Sequence, residues 1–294
     1  MAGILGGCSN TYAPKEKPLA IVGDTYIRQE DINKLAYYNK GTTVVASEIH
    51  DLLIHAEIKD EWKDEISKVM EDTNKKIEEN KTQYEAMIKD EGYASLDEYK
   101  EAYVRSGAEQ FVVVKHYLKD NESVYNDLAP IKIRYYEFAN KEEAQPVLDQ
   151  MNAGRDLESV LKESDPNKST IETVMTAKTN VFGENEVVKI YNDQNYNKST
   201  EPIVLEDSGK AYLFEVVTRN KEDILEGLVS ICLSDNEFAQ GYLRELAKKH
   251  DLKLHDEDIY EQFTSDFPYL LTDVPTEEEE QKTSGTTKAS NQAG

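Results

Sequence analysis

Apolar residues change their spacing twice along this chain, and each change marks a change of architecture. Pro18–Ile27 reads as two short extended pieces around a Gly23-Asp24 turn, with helix from about Gln29. Ile49, Leu52, Leu53 and Ala56 then recur at the i, i+3, i+4, i+7 spacing of one buried helical face. A second helix is predicted from Asp60 to Lys89, where Ile66, Val69, Ile77, Tyr84 and Ile88 form a thin stripe. So few large residues over that length describe a half-solvated arm. Gly92 closes it, and Ser95-Leu96-Asp97-Glu98 is a capping box in which the two end side chains each satisfy a free amide. Leu96, Tyr99 and Tyr103 follow on one face, and a last helix with Phe111, Val114, Tyr117 and Leu118 ends near Asn121, so residues 29–121 read as all-helical.

The period then falls to two. Ile131–Phe138 alternates as a strand does, Lys141–Asn152 is a helix stopped by Gly154, and a short helix spans about Leu157 to Glu163. Pro202–Leu205 and Ala211–Val217 are further strands, joined by a turn at Asp207-Ser208-Gly209. From Lys221 to about His250 the chain is helical again, while Asp273–Gly294, with Glu277 to Glu280 and no large apolar residue after Val274, is expected to be disordered. A strand unit between helical segments predicts an α+β protein whose flanking helices pack as one discontinuous domain.

Charge removes whole classes of partner. With 34 Lys+Arg against 58 Asp+Glu among 294 residues, the formal net charge is -24 and basic runs reach only pairs such as Lys75-Lys76 and Lys248-Lys249. Nucleic-acid binding begins by neutralising phosphates with clustered cations, so it is excluded as an expectation. The same charge opposes adsorption to an anionic lipid surface, which leaves covalent attachment as the route to a membrane.

The amino end supplies such a route. Ile4-Leu5-Gly6-Gly7-Cys8-Ser9-Asn10 resembles a bacterial lipobox, in which the cysteine thiol is lipidated; this assigns lipidation to Cys8 and makes the polar Ser9–Lys17 stretch a tether. Seven residues precede Cys8, fewer than the basic stretch and about 7–15 apolar residues of a signal segment, so the upstream part is expected to be missing. No other stretch approaches the roughly 18 apolar residues of a transmembrane helix. The second of two cysteines, Cys232, lies in the apolar run Leu228–Leu233 and reads as a buried thiol, so no disulfide framework is expected.

Recognisable small-molecule chemistry is sparse. His50 and His55 share a helix, but their spacing turns them about 140° apart and the H-E-x-x-H arrangement is missing, so no metal is assigned. Phosphate-binding glycine loops are missing as well, and no cofactor is expected. The aromatics are skewed to 18 Tyr against 7 Phe and 1 Trp. Tyr37, Tyr38, Tyr99, Tyr103 and Tyr117 either line a cradle for unfolded segments or pack as ordinary half-buried helix residues.

The order of parts resembles the PrsA-type foldase lipoproteins of Gram-positive bacteria, themselves similar to SurA-like chaperones, over roughly residues 8–263. Three pieces carry it: Tyr93–Asp120 as a helix-turn-helix; Glu142–Glu163 as a parvulin helix pair with Gly154-Arg155-Asp156-Leu157-Glu158 at its turn, followed by Val181-Phe182-Gly183 and Glu201–Val204; and Tyr242–Phe263 as the closing helix and tail. The resemblance implies residues 1–17 as truncated signal and tether, 19–128 and 222–263 as a mainly helical chaperone domain, 129–221 as an inserted parvulin-like α+β domain, and 264–294 as a disordered tail.

It also implies where isomerase chemistry would sit. Parvulins hold two histidines and an acidic or thiol group around a prolyl bond. The aligned residues here are Glu137, Tyr212 and Pro166, with Asp165 one residue early, and no histidine lies between His116 and His250. The expected function is therefore an extracytoplasmic folding factor, lipid-anchored to the outer face of the membrane, that binds newly translocated polypeptides without isomerase catalysis. Two alternatives stand beside it: an active peptidyl-prolyl isomerase using other residues, and a surface lipoprotein dedicated to one partner of a secretion or conjugation apparatus. A homodimer is compatible with each.

Overall fold

The short apolar pieces near the amino end pair with each other: β1 (Ala20–Val22) and β2 (Thr25–Ile27) form an antiparallel hairpin with Ile21 opposite Tyr26. The structure, a computed structural model, describes residues 20–22, 25–27, 41–90 and 95–272. Cys8, Tyr37, Tyr38, the helix start near Gln29, Gly92 and the segment 273–294 lie outside the described residues. The chain divides into two units, one of residues 54–246 and one of residues 1–53 with 247–294.

In the unit made from the two ends, α1 (Thr42–Glu57) begins with Thr42, Ala46, Ile49 and Leu53 buried. The stripe is rotated from the expected one: Leu52 is 66% exposed and Ala56 is exposed, because burial follows steps of four, three and four residues from Thr42 to Leu53. Near the other end, Asp256 caps α12 (Glu257–Asp266) by accepting from the Ile259 amide at 3.0 Å. Phe263 of that helix is buried, and a 3-10 turn at Pro268–Leu270 follows with Leu270 and Leu271 also buried. Residues 264–272 are thus ordered structure and not the start of the tail, since two leucines and the Phe263–Phe267 ring contact give them apolar area to bury.

The larger unit begins with the last residues of α1, from Ile54, and continues through a 3-10 turn at Asp60–Trp62 into α2 (Lys63–Glu79) and α3 (Lys81–Asp90), so the single arm helix expected from Asp60 to Lys89 is interrupted at Asn80. Its stripe is otherwise as expected, with Ile66, Ile77 and Ile88 buried and Val69 and Tyr84 partly so. The serine half of the capping box forms: the Ser95 hydroxyl accepts from the Glu98 amide at 3.1 Å and starts α4 (Leu96–Tyr99). A π-helical turn, Lys100–Val104, joins it to α5 (Arg105–Asp120), and α6 (Glu122–Leu128) follows. Ala129, at φ 46°, ends α6 in the left-handed region and turns the chain into the sheet.

Strand β3 (Ile131–Phe138) runs antiparallel to β4 (Ile171–Met175) on one side and β6 (Ala211–Thr218) on the other, with β5 (Ile203–Val204) outside β6. Alternation sends Phe138, with Ala211 and Leu213, to the face covered by α7 (Lys141–Asn152) and α8 (Leu157–Ser164). Ile131, Ile133 and Phe214 pack on the opposite face with Phe182 and with Val187 and Ile190 of α9 (Glu184–Asn192). Asn140 and Asp156 cap α7 and α8 through the Glu143 and Ser159 amides, and Gly154 at φ 95° breaks the chain between them. Strand β4, α6 and α9 were not legible in the sequence; Ile171-Glu172-Thr173 is exposed or half-buried on an edge strand and shows no clean alternation.

Arg219 fixes the carboxyl end of α9. Its Nη1 donates to the Ile190 and Tyr191 carbonyls (2.6 and 3.2 Å) and its Nη2 to those of Asp193 and Tyr196 (both 3.2 Å). The chain then enters α10 (Lys221–Ser234) and α11 (Asn236–Lys249). Cys232 is buried in α10, as the apolar run predicted, and burial pushes its thiol pKa up to about 12. Helix α10 passes close over β4 at Gly227, where an added Cβ would stand 2.5 Å from Val174 Cγ2 and 3.2 Å from its Cβ.

That contact gives a pair of expected outcomes in urea unfolding. Gly227→Ala costs about 1–3 kcal/mol, because the stiff β-branched Val174 cannot move aside. Gly241→Ala, in α11 with nothing within 4 Å of the new Cβ, instead stabilises by about 0.5–1 kcal/mol.

Candidate functional site

The two positions at which the resemblance places histidines meet on adjoining strands. Glu137 of β3 stands in register with Tyr212 of β6, and the Tyr212 hydroxyl donates to Glu137 Oε2 at 2.7 Å. Lys210 Nζ lies 2.6 Å from Glu137 Oε1. The hydrogen bond from Lys210, then that from Tyr212, holds the Glu137 carboxyl below the usual carboxylate range. Burial, then the bond to Glu137, pushes the Tyr212 phenol up to about 12. Near neutral pH the pair is therefore a carboxylate and a neutral phenol. It offers fixed charge, and neither group changes protonation near pH 7 as an imidazole would.

An aromatic shelf borders the pair: the rings of Tyr135 and Phe182 lie 5.9 Å apart, and each is about that far from Tyr212 (6.2 and 5.9 Å). Pro166 is not part of it. It is exposed in the turn after α8, where the Asp165 side chain accepts from the Asn167 amide at 3.0 Å and the Asp165 carbonyl from Lys168. Asp165 and Pro166 shape a turn.

A second surface lies among the helices. Val69, Thr73 and Ile77 of α2, Tyr84 of α3, Tyr99, Tyr103 and Val104, and Gly107, Ala108 and Phe111 of α5 line an open groove of about 280 Å³. Tyr99 is buried; Tyr103 is 59% exposed and stacks on it at 5.3 Å with the rings 12° apart. Tyr84 and Phe111, whose spacing alone marks them as helix-packing residues, also contribute to the lining. The signal that would have found the groove is Gly107, a glycine inside a predicted helix.

Of the five tyrosines singled out, the structure brings only Tyr99 and Tyr103 together among the described residues. Tyr117 packs against Tyr242 (4.5 Å) and Phe238 (6.3 Å) and donates to Glu245 Oε2 at 2.9 Å; burial, then that bond, raises its pKa. The two histidines on α1 go separate ways. The half-buried His50 meets the Tyr269 hydroxyl at 3.1 Å, and burial lowers its pKa. The exposed His55 meets Glu109 at 3.2 Å.

These features define a mainly helical α+β protein whose small antiparallel sheet carries helices on both faces and whose helical part presents a tyrosine-rimmed groove. No family model matches the sequence, and no curated protein does. Among solved structures it is similar to foldase protein PrsA from Streptococcus pneumoniae str. Canada MDR_19A, at 14% identity over 84% of this chain and 99% of that one, with a TM-score of 0.48. It is similar also to peptidylprolyl isomerase PrsA from Bacillus cereus (18% identity, 84% and 97% covered, TM-score 0.41) and to PrsA from Bacillus subtilis (17%, 85% and 98%, TM-score 0.36). No helix among the described residues is long and apolar enough to cross a membrane.

The sheet pair has a measurable signature. In Tyr212→Phe the Glu137 carboxyl pKa, followed by NMR, rises toward its ordinary value near 4.5 but stays below it, because Lys210 remains. A carboxyl depressed in the folded state adds stability that is complete above that ordinary value and drains as pH falls through the folded one. Acid unfolding of the wild type should therefore steepen below pH 4.5, and less so in the variant.

Proposed function

We propose that the chain is an extracytoplasmic folding factor that binds newly translocated polypeptides without isomerase chemistry of its own. The observation that carries the reading is the groove with the exposed Tyr103 at its rim, stacked on the buried Tyr99, an apolar surface open to solvent in a strongly acidic protein. An exposed apolar surface of this kind suits weakly specific contact with unfolded segments, and the excess negative charge keeps a complex dispersed. The pairing of Glu137 with Tyr212 supports the second half of the proposal, since those two positions are committed to each other and to Lys210.

The rest of the reading follows the arrangement inferred from the sequence. Residues 19–128 and 222–263 form the polypeptide-binding domain and 129–221 an inserted parvulin-like domain that positions clients without turning over prolyl bonds. Cys8 carries the lipid that holds the protein at the outer face of the membrane, with residues 9–17 as the tether.

Two assays on one preparation test this. Uncatalysed prolyl isomerisation takes tens to hundreds of seconds, so any catalysis in proline-limited refolding would be plain, and none is expected. In the second assay, light scattering from a chemically unfolded protein after dilution should fall when this chain is added, and Tyr103→Ser should weaken that protection several-fold, in keeping with the loss of an exposed aromatic anchor. Accelerated refolding would reinstate the isomerase alternative, and unchanged scattering would end the chaperone reading.

A further inference from the structure

Gly107 has no reason to be glycine within its own helix. It lies inside α5, its backbone is outside the left-handed region, and a Cβ built on it meets nothing within 4 Å. A glycine in a helix interior costs about 1 kcal/mol relative to alanine. What Gly107 provides is space on the groove wall, enough for another backbone to come close.

The neighbouring turn carries a second irregularity with the same result. Buried positions run Tyr99, Val104, Ala108, Val112, so the first step is five residues and the later ones four. The π turn at Lys100–Val104 supplies that extra residue. In an uninterrupted helix Tyr103 would follow Tyr99 into the core; here Val104 takes that place and Tyr103 stands at the rim.

The lining also limits what can occupy the groove. At about 280 Å³ it is smaller than the roughly 300–1,000 Å³ of small-molecule sites and holds two or three side chains. All of its lining residues come from helical segments, so among the described residues no strand edge borders it. An extended segment pressed against it would find no backbone partners there, whereas a helix satisfies its own amides and carbonyls. Between residues 63 and 111 there are thirteen acidic side chains and eight basic ones, with exposed Asp72 and Glu101 close in sequence to the lining positions Thr73 and Tyr103.

We propose that this groove captures client segments as amphipathic helices, seated by two or three apolar side chains over Gly107 and Tyr103 and carrying Lys or Arg on their flanks. The inference rests on the polypeptide-binding reading and names the class of segment bound. Extended segments and acidic helices are the classes it rejects.

The test uses the full chain and fluorescent peptides of about 18 residues, roughly five helical turns. One has leucines on a single helical face and lysines beside them, one has the same composition scrambled, and one has glutamates in place of the lysines. By fluorescence anisotropy the first should bind about tenfold or more tightly than the other two, a difference of about 1.4 kcal/mol. Gly107→Leu fills the groove from a site with free space around it and should abolish that preference while leaving the melting temperature unchanged or higher. Tyr103→Ser, at an exposed position, should weaken binding several-fold and guards against a Gly107→Leu chain that does not fold. Equal binding of the scrambled peptide, or full binding by both variants, overturns the proposal. So does sedimentation showing that Gly107→Leu breaks up a dimer, because the occupant would then be a second copy of this chain. Protection of an unfolded protein with no peptide preference sinks the helical inference and spares the chaperone reading; failure of both assays sinks both.

Discussion

The antiparallel register between β3 and β6 is the constraint on which the sheet and its surroundings depend. Because side chains alternate along a strand, a slip of one residue would send Phe138 and Tyr136 to the face of α9 and Ile133 and Tyr135 to that of α7 and α8. Both apolar layers would be lost together. The same register sets Glu137 opposite Tyr212, so the polar pair at the sheet end is a by-product of how the core is filled. Arg219, reaching four carbonyls around the end of α9, holds the covering helix in the matching place.

Where the sequence carried a clean period or a cap with one geometric meaning, it was readable. The eight-residue alternation at Ile131–Phe138, the helix Lys141–Asn152 with its glycine stop, and the Ser95 cap all form as expected. Three kinds of element escaped. Strand β4 lies at an edge with polar residues on it, and α9 is short and follows a loop with no cap signature. The stripe on α1 was placed out of phase because Leu52 looks like a core residue and is not one. A single apolar side chain is weak evidence for a face when Ala46 and Thr42 can serve a buried one.

The candidate site was legible in parts that the fold then recombined. Glu137 and Tyr212 could be paired only by aligning strands distant in sequence, and their hydrogen bond follows from the register. Tyr99 and Tyr103 do share a surface, but Tyr117 is drawn away by Tyr242 and Glu245. A reading by residue type alone groups tyrosines that the helix phases separate. Tyr84 and Phe111 join the groove because α3 and α5 flank it, which depends on tertiary packing.

The π turn at Lys100–Val104 has a consequence of another order. In a regular helix an inserted residue would turn everything after it by about 100°, but a π turn takes up the extra residue locally. Deleting one residue from Lys100–Val104 would therefore leave an ordinary four-residue step, with Val104, Ala108 and Val112 still in their places in the core. Such a deletion would take away the extra residue that puts Tyr103 at the rim. The groove is thus written into the length of a five-residue turn, and that length can change without unmaking the core behind it.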